Sequence, residues 1–253
     1  MPGEPFNVRK RCRHGEMVFN RHDRYIGRSL DLYGEFSELE VELFATFLQP
    51  GALVVEAGSN LGAHTLALSG LVGGEGAVIA FEPQRLVFQL LCANLALNSI
   101  RNVFAYQKAI GTGAGTVFVP QLDPTVEANF GGLSLGGWDS GEAVPVAWLD
   151  SMRFPRLDFV KADVEGMEEQ VLAGAAETIA HYRPILYLED DRQEKSESLH
   201  NRIKSFGYRI YRHVPPLFNP DNFAGNPENV FPGIVSGNLL CVPEESAWDP
   251  PLE

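Results

Sequence analysis

Val54-Val55-Glu56-Ala57-Gly58-Ser59-Asn60-Leu61-Gly62, residues 54–62, decides how the rest of the chain reads. A β-branched apolar run ends in an acid, gives way to a turn of small residues and continues into an amphipathic stretch through Leu71. That order predicts a strand over 52–57, a tight loop and a helix over 61–71. Next outward, Ala77-Val78-Ile79-Ala80-Phe81 is a second apolar run, closed by Glu82 twenty residues beyond Gly62. A strand-turn-helix-strand unit whose second strand ends in an acid is how an open α/β sheet holds a ribose. The carboxylate accepts hydrogen bonds from the diol, and glycines admit the ligand close to the backbone.

The alternation continues with a helix over 85–98 and a strand over 102–109. Residues 111–150 interrupt it with β segments at 116–119 and 144–149. Between them, Asn129-Phe130-Gly131-Gly132-Leu133-Ser134-Leu135-Gly136-Gly137 reads as an active-site flap or a flexible insertion. The pattern then resumes: strand 157–162 ending at Asp163, helix 166–181, strand 185–189 ending in Glu189-Asp190-Asp191, helix 195–206 closed by Gly207, strand 208–213 and a last strand at 239–242. The expected fold is α/β and Rossmann-like: a seven-stranded, mostly parallel sheet with one antiparallel edge strand and helices on both faces. Residues 1–50 read as an N-terminal extension and a helix packing on the core, and 51–253 as the catalytic domain, with a single domain overall. Within the extension, residues 1–30 look polar and irregular apart from a β segment at Met17-Val18-Phe19. Ser37 and Glu40 are spaced as a capping box, and Pro50-Gly51 ends the helix they begin.

A chain of 253 residues can bury the core of one such domain. Its 33 acidic and 20 basic residues leave a net charge of −13, which argues against a nucleic-acid partner, whose phosphates need a basic surface. The basic run Arg9-Lys10-Arg11-Cys12-Arg13-His14 reads as a solvated arm. Cys12, Cys92 and Cys241 have no C-x-x-C spacing; Cys92 and Cys241 look like core packing, and so sparse a set suits a reducing cytoplasm. The N-terminus lacks the apolar core of a signal peptide, and no window approaches the roughly 18 apolar residues of a membrane helix. The expected location is therefore cytoplasmic, without a membrane partner.

The loop after the first strand discriminates between ligands. A dinucleotide site needs G-x-G-x-x-G, so that a pyrophosphate can sit on a helix N-terminus. Here Asn60 stands at the second glycine, no third glycine follows at the needed spacing, and there is no Tyr-x-x-x-Lys pair. A nicotinamide-dependent oxidoreductase is thereby disfavoured. The Glu56-x-Gly58-x-Asn60-x-Gly62 form resembles the first motif of class I S-adenosylmethionine (SAM) methyltransferases, whose ligand has no phosphate to cradle. Further along come Leu149-Asp150, then Asp158-Phe159-Val160-Lys161-Ala162-Asp163-Val164-Glu165-Gly166-Met167-Glu168, then Val171-Leu172-Ala173-Gly174-Ala175. In this order they resemble the FkbM-type SAM-dependent methyltransferases, whose hallmark is D-F-(I/V)-K-x-D-V-E-G-x-E; Ala162 stands where isoleucine is usual. The match continues through Arg183-Pro184-Ile185-Leu186-Tyr187-Leu188-Glu189 and covers roughly residues 50–245. The resemblance implies a class I methyltransferase fold, SAM as methyl donor with S-adenosylhomocysteine as product, and transfer usually to a hydroxyl oxygen of a polyketide, sugar or other small acceptor. A carboxyl- or N-methyltransferase on the same fold, or an inactive SAM-binding protein, stays open.

On this reading Glu56 orients the glycine loop or the SAM amino group, Gly58, Ser59 and Gly62 let the cofactor approach, and Asn60 bonds its amino-acid end. Glu82, with Pro83 beside it, holds the ribose. Lys108 and Ala109 pass near the adenine, and His64 touches the cofactor from the first helical turn. Asp163 ends a strand at the crevice where α/β ligands bind, and contacts the SAM amine or acts as base. Glu165 and His213 are the other candidates to take the proton that must leave as the C–O bond forms. Tyr33, Glu35, Phe130 and Asn222 are the expected acceptor contacts, since amides and aromatics suit a small-molecule or glycan acceptor. The resemblance implies no metal; were Mg²⁺ to assist, Asp163 with Glu189 or Asp190 would supply its oxygen ligands.

Overall fold

From residue 5 to residue 252, the span that the computed structural model describes, the chain runs through twelve strands and seven α-helices. In order these are β1 (Asn7–Cys12), β2 (Gly15–Asn20), α1 (Ile26–Tyr33), α2 (Glu38–Ala45), β3 (Leu53–Ala57), α3 (Ala63–Val72), β4 (Ala77–Phe81), α4 (Arg85–Leu97), β5 (Val103–Tyr106), β6 (Ala109–Ile110), β7 (Gly115–Val119), β8 (Glu142–Ala147), β9 (Phe159–Ala162), α5 (Glu168–Ala173), α6 (Ala176–Tyr182), β10 (Ile185–Glu189), α7 (Gln193–Ser205), β11 (Tyr208–His213) and β12 (Asn238–Pro243). Seven strands form one sheet in the order β11-β12-β10-β9-β3-β4-β5. The five from β10 to β5 are parallel, and β12 runs antiparallel to both β10 and β11. The antiparallel strand is thus second from the edge rather than at it. Every residue of β12 is buried, as its unbroken apolar run requires of an interior strand, whereas β11 is mostly half-buried.

The central strands β3 and β9 are buried along their whole length, and Glu56 and Lys161 are register partners across them. Two ionisable side chains are therefore carried into the middle of the sheet, where each needs the other. The expected strand over 102–109 is two: β5 ends at Tyr106, and β6 joins β8 and β7 in a separate three-stranded sheet. The expected helix over 166–181 breaks at Gly174. A Cβ there would lie 2.1 Å from the carbonyl oxygen of Gly111, so the two main chains touch. Asp150 then caps the second half: its carboxylate accepts the amides of Glu177 at 3.1 Å and Thr178 at 2.8 Å, satisfying free donors at the start of α6.

Residues 7–33 are not irregular. β1 and β2 form a hairpin, and two asparagines one turn apart, Asn94 on α4 and Asn98 just past its end, hold β2. Asn94 accepts from the Val18 amide at 2.6 Å and donates to the Val18 carbonyl at 3.0 Å; Asn98 does the same for Glu16, at 2.8 Å each way. The basic run is no loose arm, since Arg13 pairs with the buried Glu35 at 2.7 Å and His14 lies 2.8 Å from Glu38. Ser37 does precede α2, but in left-handed backbone (φ 47°) and without a side-chain cap, so the capping box does not form and Glu40 turns inward. Cys92 is exposed rather than packed; Cys12 and Cys241 are buried. Among the described residues no helix is long and apolar enough to cross a membrane.

Candidate active site

A cavity of about 370 Å³ opens at the carboxyl ends of β3, β4, β9 and β10. Its floor comes from the loops after those strands. Its walls and roof come from Tyr25 and Ile26 at the start of α1, Phe36 and Ser37, the Gly-rich segment around Gly131–Leu133, and Ile234–Gly237 before β12.

The β3 loop is held by its backbone: the Gly58 and Ser59 amides both donate to the Phe81 carbonyl, at 2.9 and 3.0 Å. Gly58 has φ +83°, and a Cβ there would lie 1.8 Å from the Asp163 carbonyl oxygen. Loop-to-loop contact therefore demands this glycine before any ligand does. Gly62 (φ +92°) is likewise set by packing, since a Cβ would meet Leu91 at 2.8 Å, and it does not line the cavity. Asn60 takes left-handed backbone, which asparagine tolerates, and its amide donates to Glu82 Oε2 at 3.0 Å. The Gln84 amide donates to Glu82 Oε1 at 2.8 Å, so both oxygens of this buried carboxylate are fixed on the wall.

Lys161 lies beneath, almost wholly buried. Its Nζ donates to Asp163 Oδ2 at 3.1 Å. Burial alone would lower its pKa, but Asp163, Glu56 and Glu40 around it outweigh that and hold it charged. Burial pushes Glu56 up to about 7 against the pull of Lys161 and of the Thr65 hydroxyl, which donates to it at 2.5 Å. Burial raises Glu82 to about 7 as well. A folded-state pKa above the unfolded value of 4.5 means that the stability contributed by protonation is complete below pH 4.5 and is lost as pH rises through about 7. His64 and His213, lowered by burial, act in the opposite sense below pH 6.5. The melting temperature of the ligand-free protein should therefore fall between about pH 6.5 and about pH 8.5. A flat or rising profile would mean that these carboxyls ionise normally.

On the other side, Glu165 (φ 56°) and Gly166 (φ 89°) make a left-handed turn after β9. Glu168 holds this turn by accepting the amides of Val164 and Gly166, at 3.0 and 3.2 Å, which gives the D-V-E-G-x-E spacing a mechanical reason. Glu165 is raised to about 7 by burial and Asp163, and Arg192 Nη2 donates to it at 2.5 Å. Glu189 is pushed up to about 10 by burial and by Asp163 and Glu165, and its Oε2 has no hydrogen-bond partner. Carboxylate oxygens of Asp163, Glu165 and Glu189 lie within 4.8 Å of one another, so this trio could hold a hard cation. Asp190 belongs to no such set, because it bonds His200 at 2.9 Å and Ser196 at 2.9 Å outside the cavity.

Of the residues read from the sequence, Glu56, Gly58, Ser59, Asn60, His64, Glu82, Pro83, Asp163, Glu165 and Glu189 line this one cavity. The others do not. The Lys108 ammonium lies over the Tyr106 ring and Ala109 sits in β6, both past the turn that ends β5. His213 bonds the Tyr187 hydroxyl at 2.8 Å. Tyr33 donates to the Glu228 carbonyl, Glu35 accepts from Arg13, Asn219 and the Phe223 amide, and Asn222 closes its own loop through Asn219 and Asn226. These polar groups are consumed in folding the roof. Phe130 is buried beside the cavity, and only its neighbours Asn129 and Gly131 reach it. Sequence reading missed Lys161, Gln84, Arg192 and Ile234–Gly237. Only Lys161 left a signal, as a lone charge inside an apolar strand.

The family model for the methyltransferase FkbM domain matches residues 56–210. Among solved structures, the chain is similar to the methyltransferase FkbM from Methylobacillus flagellatus: 19% identity, TM-score 0.53, with 76% of this chain and 44% of that one covered. It is also similar to a SAM-dependent O-methyltransferase from Thermotoga maritima: 10% identity, TM-score 0.51, with 96% of this chain and 79% of that one covered. At such identities the likeness is one of fold, and the chain spans less than half the length of the Methylobacillus protein. No curated protein sequence matches it.

Proposed function

The chain belongs to the FkbM methyltransferase domain family, and from that premise we propose that it transfers the methyl group of SAM to a hydroxyl oxygen of a neutral acceptor: a small molecule, a sugar or glycan, or a polyketide-like compound. The cavity's donor set fits the cofactor. Each oxygen of Glu82 holds one backbone amide and keeps a lone pair for a ribose hydroxyl. Glu56, Ser59 and Asn60 are offered to the amino-acid end, and Asp163 to its ammonium. When bound, SAM supplies an electrophilic methyl group on a sulfonium, and a carboxylate-rich cavity favours that cation.

The observation that carries the choice of a hydroxyl is the charge of the lining. Six acids, Glu56, Glu82, Asp163, Glu165, Glu189 and Asp191, face two cations, Lys161 and Arg192. Both cations are already paired, Lys161 with Asp163 and Arg192 with Glu165 and Asp191. Among the described lining residues none is left to anchor an acceptor carboxylate. Leu133, Leu135, Leu217, Ile234 and Val235 offer apolar contact to a carbon skeleton.

The test is transfer of labelled methyl from SAM to matched alcohol, carboxylate and amine acceptors, with and without a chelator. The expected product is a base-stable ether formed only from the alcohols. Label in base-labile esters, or on nitrogen, would overturn the hydroxyl assignment. Activity abolished by the chelator and restored by Mg²⁺ would bring the Asp163, Glu165 and Glu189 trio into the reaction as a metal site.

A further inference from the structure

His64, the second residue of α3, is 6% exposed yet lines the cavity. Its ring is held between Phe36 and Phe44, with centroids 5.7 and 6.1 Å away. Nε2 has no hydrogen-bond partner. The nearest paired acid, Glu40 Oε2, is 3.9 Å from it, beyond hydrogen-bond reach. A buried polar nitrogen left unsatisfied costs about 1–3 kcal/mol, so an orphan on a residue that lines a cavity points to a ligand group that satisfies it.

The other candidate bases are occupied. Glu82 holds two amides, Glu56 a threonine hydroxyl, Asp163 a lysine and Glu165 an arginine. Glu189 also has an unpartnered oxygen, but that carboxyl belongs to the close-set trio with Asp163 and Glu165. Burial, with Lys161 and then His14 facing the ring, keeps His64 well below the usual histidine value, hence neutral. Among the described lining residues His64 alone combines burial, neutrality and an unpartnered basic nitrogen.

We propose that His64 Nε2 is the general base of the methyl transfer, taking the proton of the acceptor hydroxyl, with Glu40 Oε2, 3.9 Å from the same nitrogen, as the nearest carboxylate to the imidazolium. The assignment rests on the hydroxyl-methylation reading above. The acceptor oxygen forms its bond to the methyl carbon and gives its proton to Nε2. The carbon–sulfur bond of the donor breaks with its electron pair left on sulfur, so a sulfonium becomes a neutral thioether. His64 then belongs to the acceptor side of the cavity rather than to the cofactor.

The experiment compares wild type, His64→Asn and His64→Ala with the best alcohol acceptor at saturating SAM, and measures S-adenosylhomocysteine affinity of each by calorimetry. General-base catalysis is worth roughly 100-fold or more, so kcat should fall by at least about that factor in both variants. Affinity should stay within about threefold, well under the tenfold that 1.4 kcal/mol represents. Added imidazole should restore part of the activity of His64→Ala. A His64→Asn enzyme with wild-type kcat overturns the assignment alone. Affinity lost in step with activity overturns it in favour of a cofactor contact. Wild-type protein that methylates no alcohol overturns the functional reading and the assignment with it.

Discussion

Replacing Glu82 with alanine is expected to weaken S-adenosylhomocysteine binding by about 100-fold or more, because two hydrogen bonds to a charged group are worth about 1.5–3 kcal/mol each. The carboxylate stands at the end of β4 with its geometry already set by the Asn60 and Gln84 amides, so a ribose diol meets a preorganised acceptor. Alanine also strands those two amides, which would loosen the β3 loop. Glu82→Gln separates the two effects, since it keeps one carbonyl oxygen and the shape but loses the charge. It should bind about tenfold more weakly than wild type, the loss of a single charge-assisted hydrogen bond. With the carboxyl titrating near 7, wild-type affinity should also rise with pH across neutrality. A folded Glu82→Ala protein that binds as tightly as wild type would remove this residue from the cofactor site.

Replacing Lys161 with methionine should destabilise the protein by about 3 kcal/mol or more at pH 8, in line with breaking a buried pair from one side. Methionine fills the space of the lysine stem but leaves Glu56, Glu40 and Asp163 without their common counter-charge. Glu56 and Glu40 are already biased toward protonation by burial, so they can escape the penalty in acid. The loss measured by urea unfolding should therefore be smaller at about pH 5.5 than at pH 8. Equal losses at both values would mean that the lysine acts through packing alone.

The parts of the fold that were legible share a physical cause. Parallel strands buried on both faces read as unbroken apolar runs, so the acids that end them, Glu56, Glu82 and Asp163, stand out and mark the crevice. What stayed hidden depends on partners that no single segment displays. β1 is half charged; β2 shows in the sequence as Met17-Val18-Phe19, but the side-chain amides of Asn94 and Asn98 that tie it to the core do not. Lys161 was in plain view inside the D-F-V-K block, but its importance comes from its register with Glu56 on a neighbouring strand. Tyr33, Glu35 and Asn222 have the composition of a sugar-binding face, and the same groups serve equally well to tie a loop to itself, which is where their hydrogen bonds go. His213 ends its strand as expected, but turns to Tyr187. The place of β12 inside the sheet follows from the long connection after β11, a freedom that the alternation of strands and helices does not encode.

Everything proposed for the cavity above β3 and β4 requires that it take up SAM. Calorimetric titration of the purified chain with S-adenosylhomocysteine tests it most directly. The expected result is one site per chain with a dissociation constant near 1 µM, about 8 kcal/mol of binding free energy. A folded sample that takes up no ligand at millimolar concentration would contradict it.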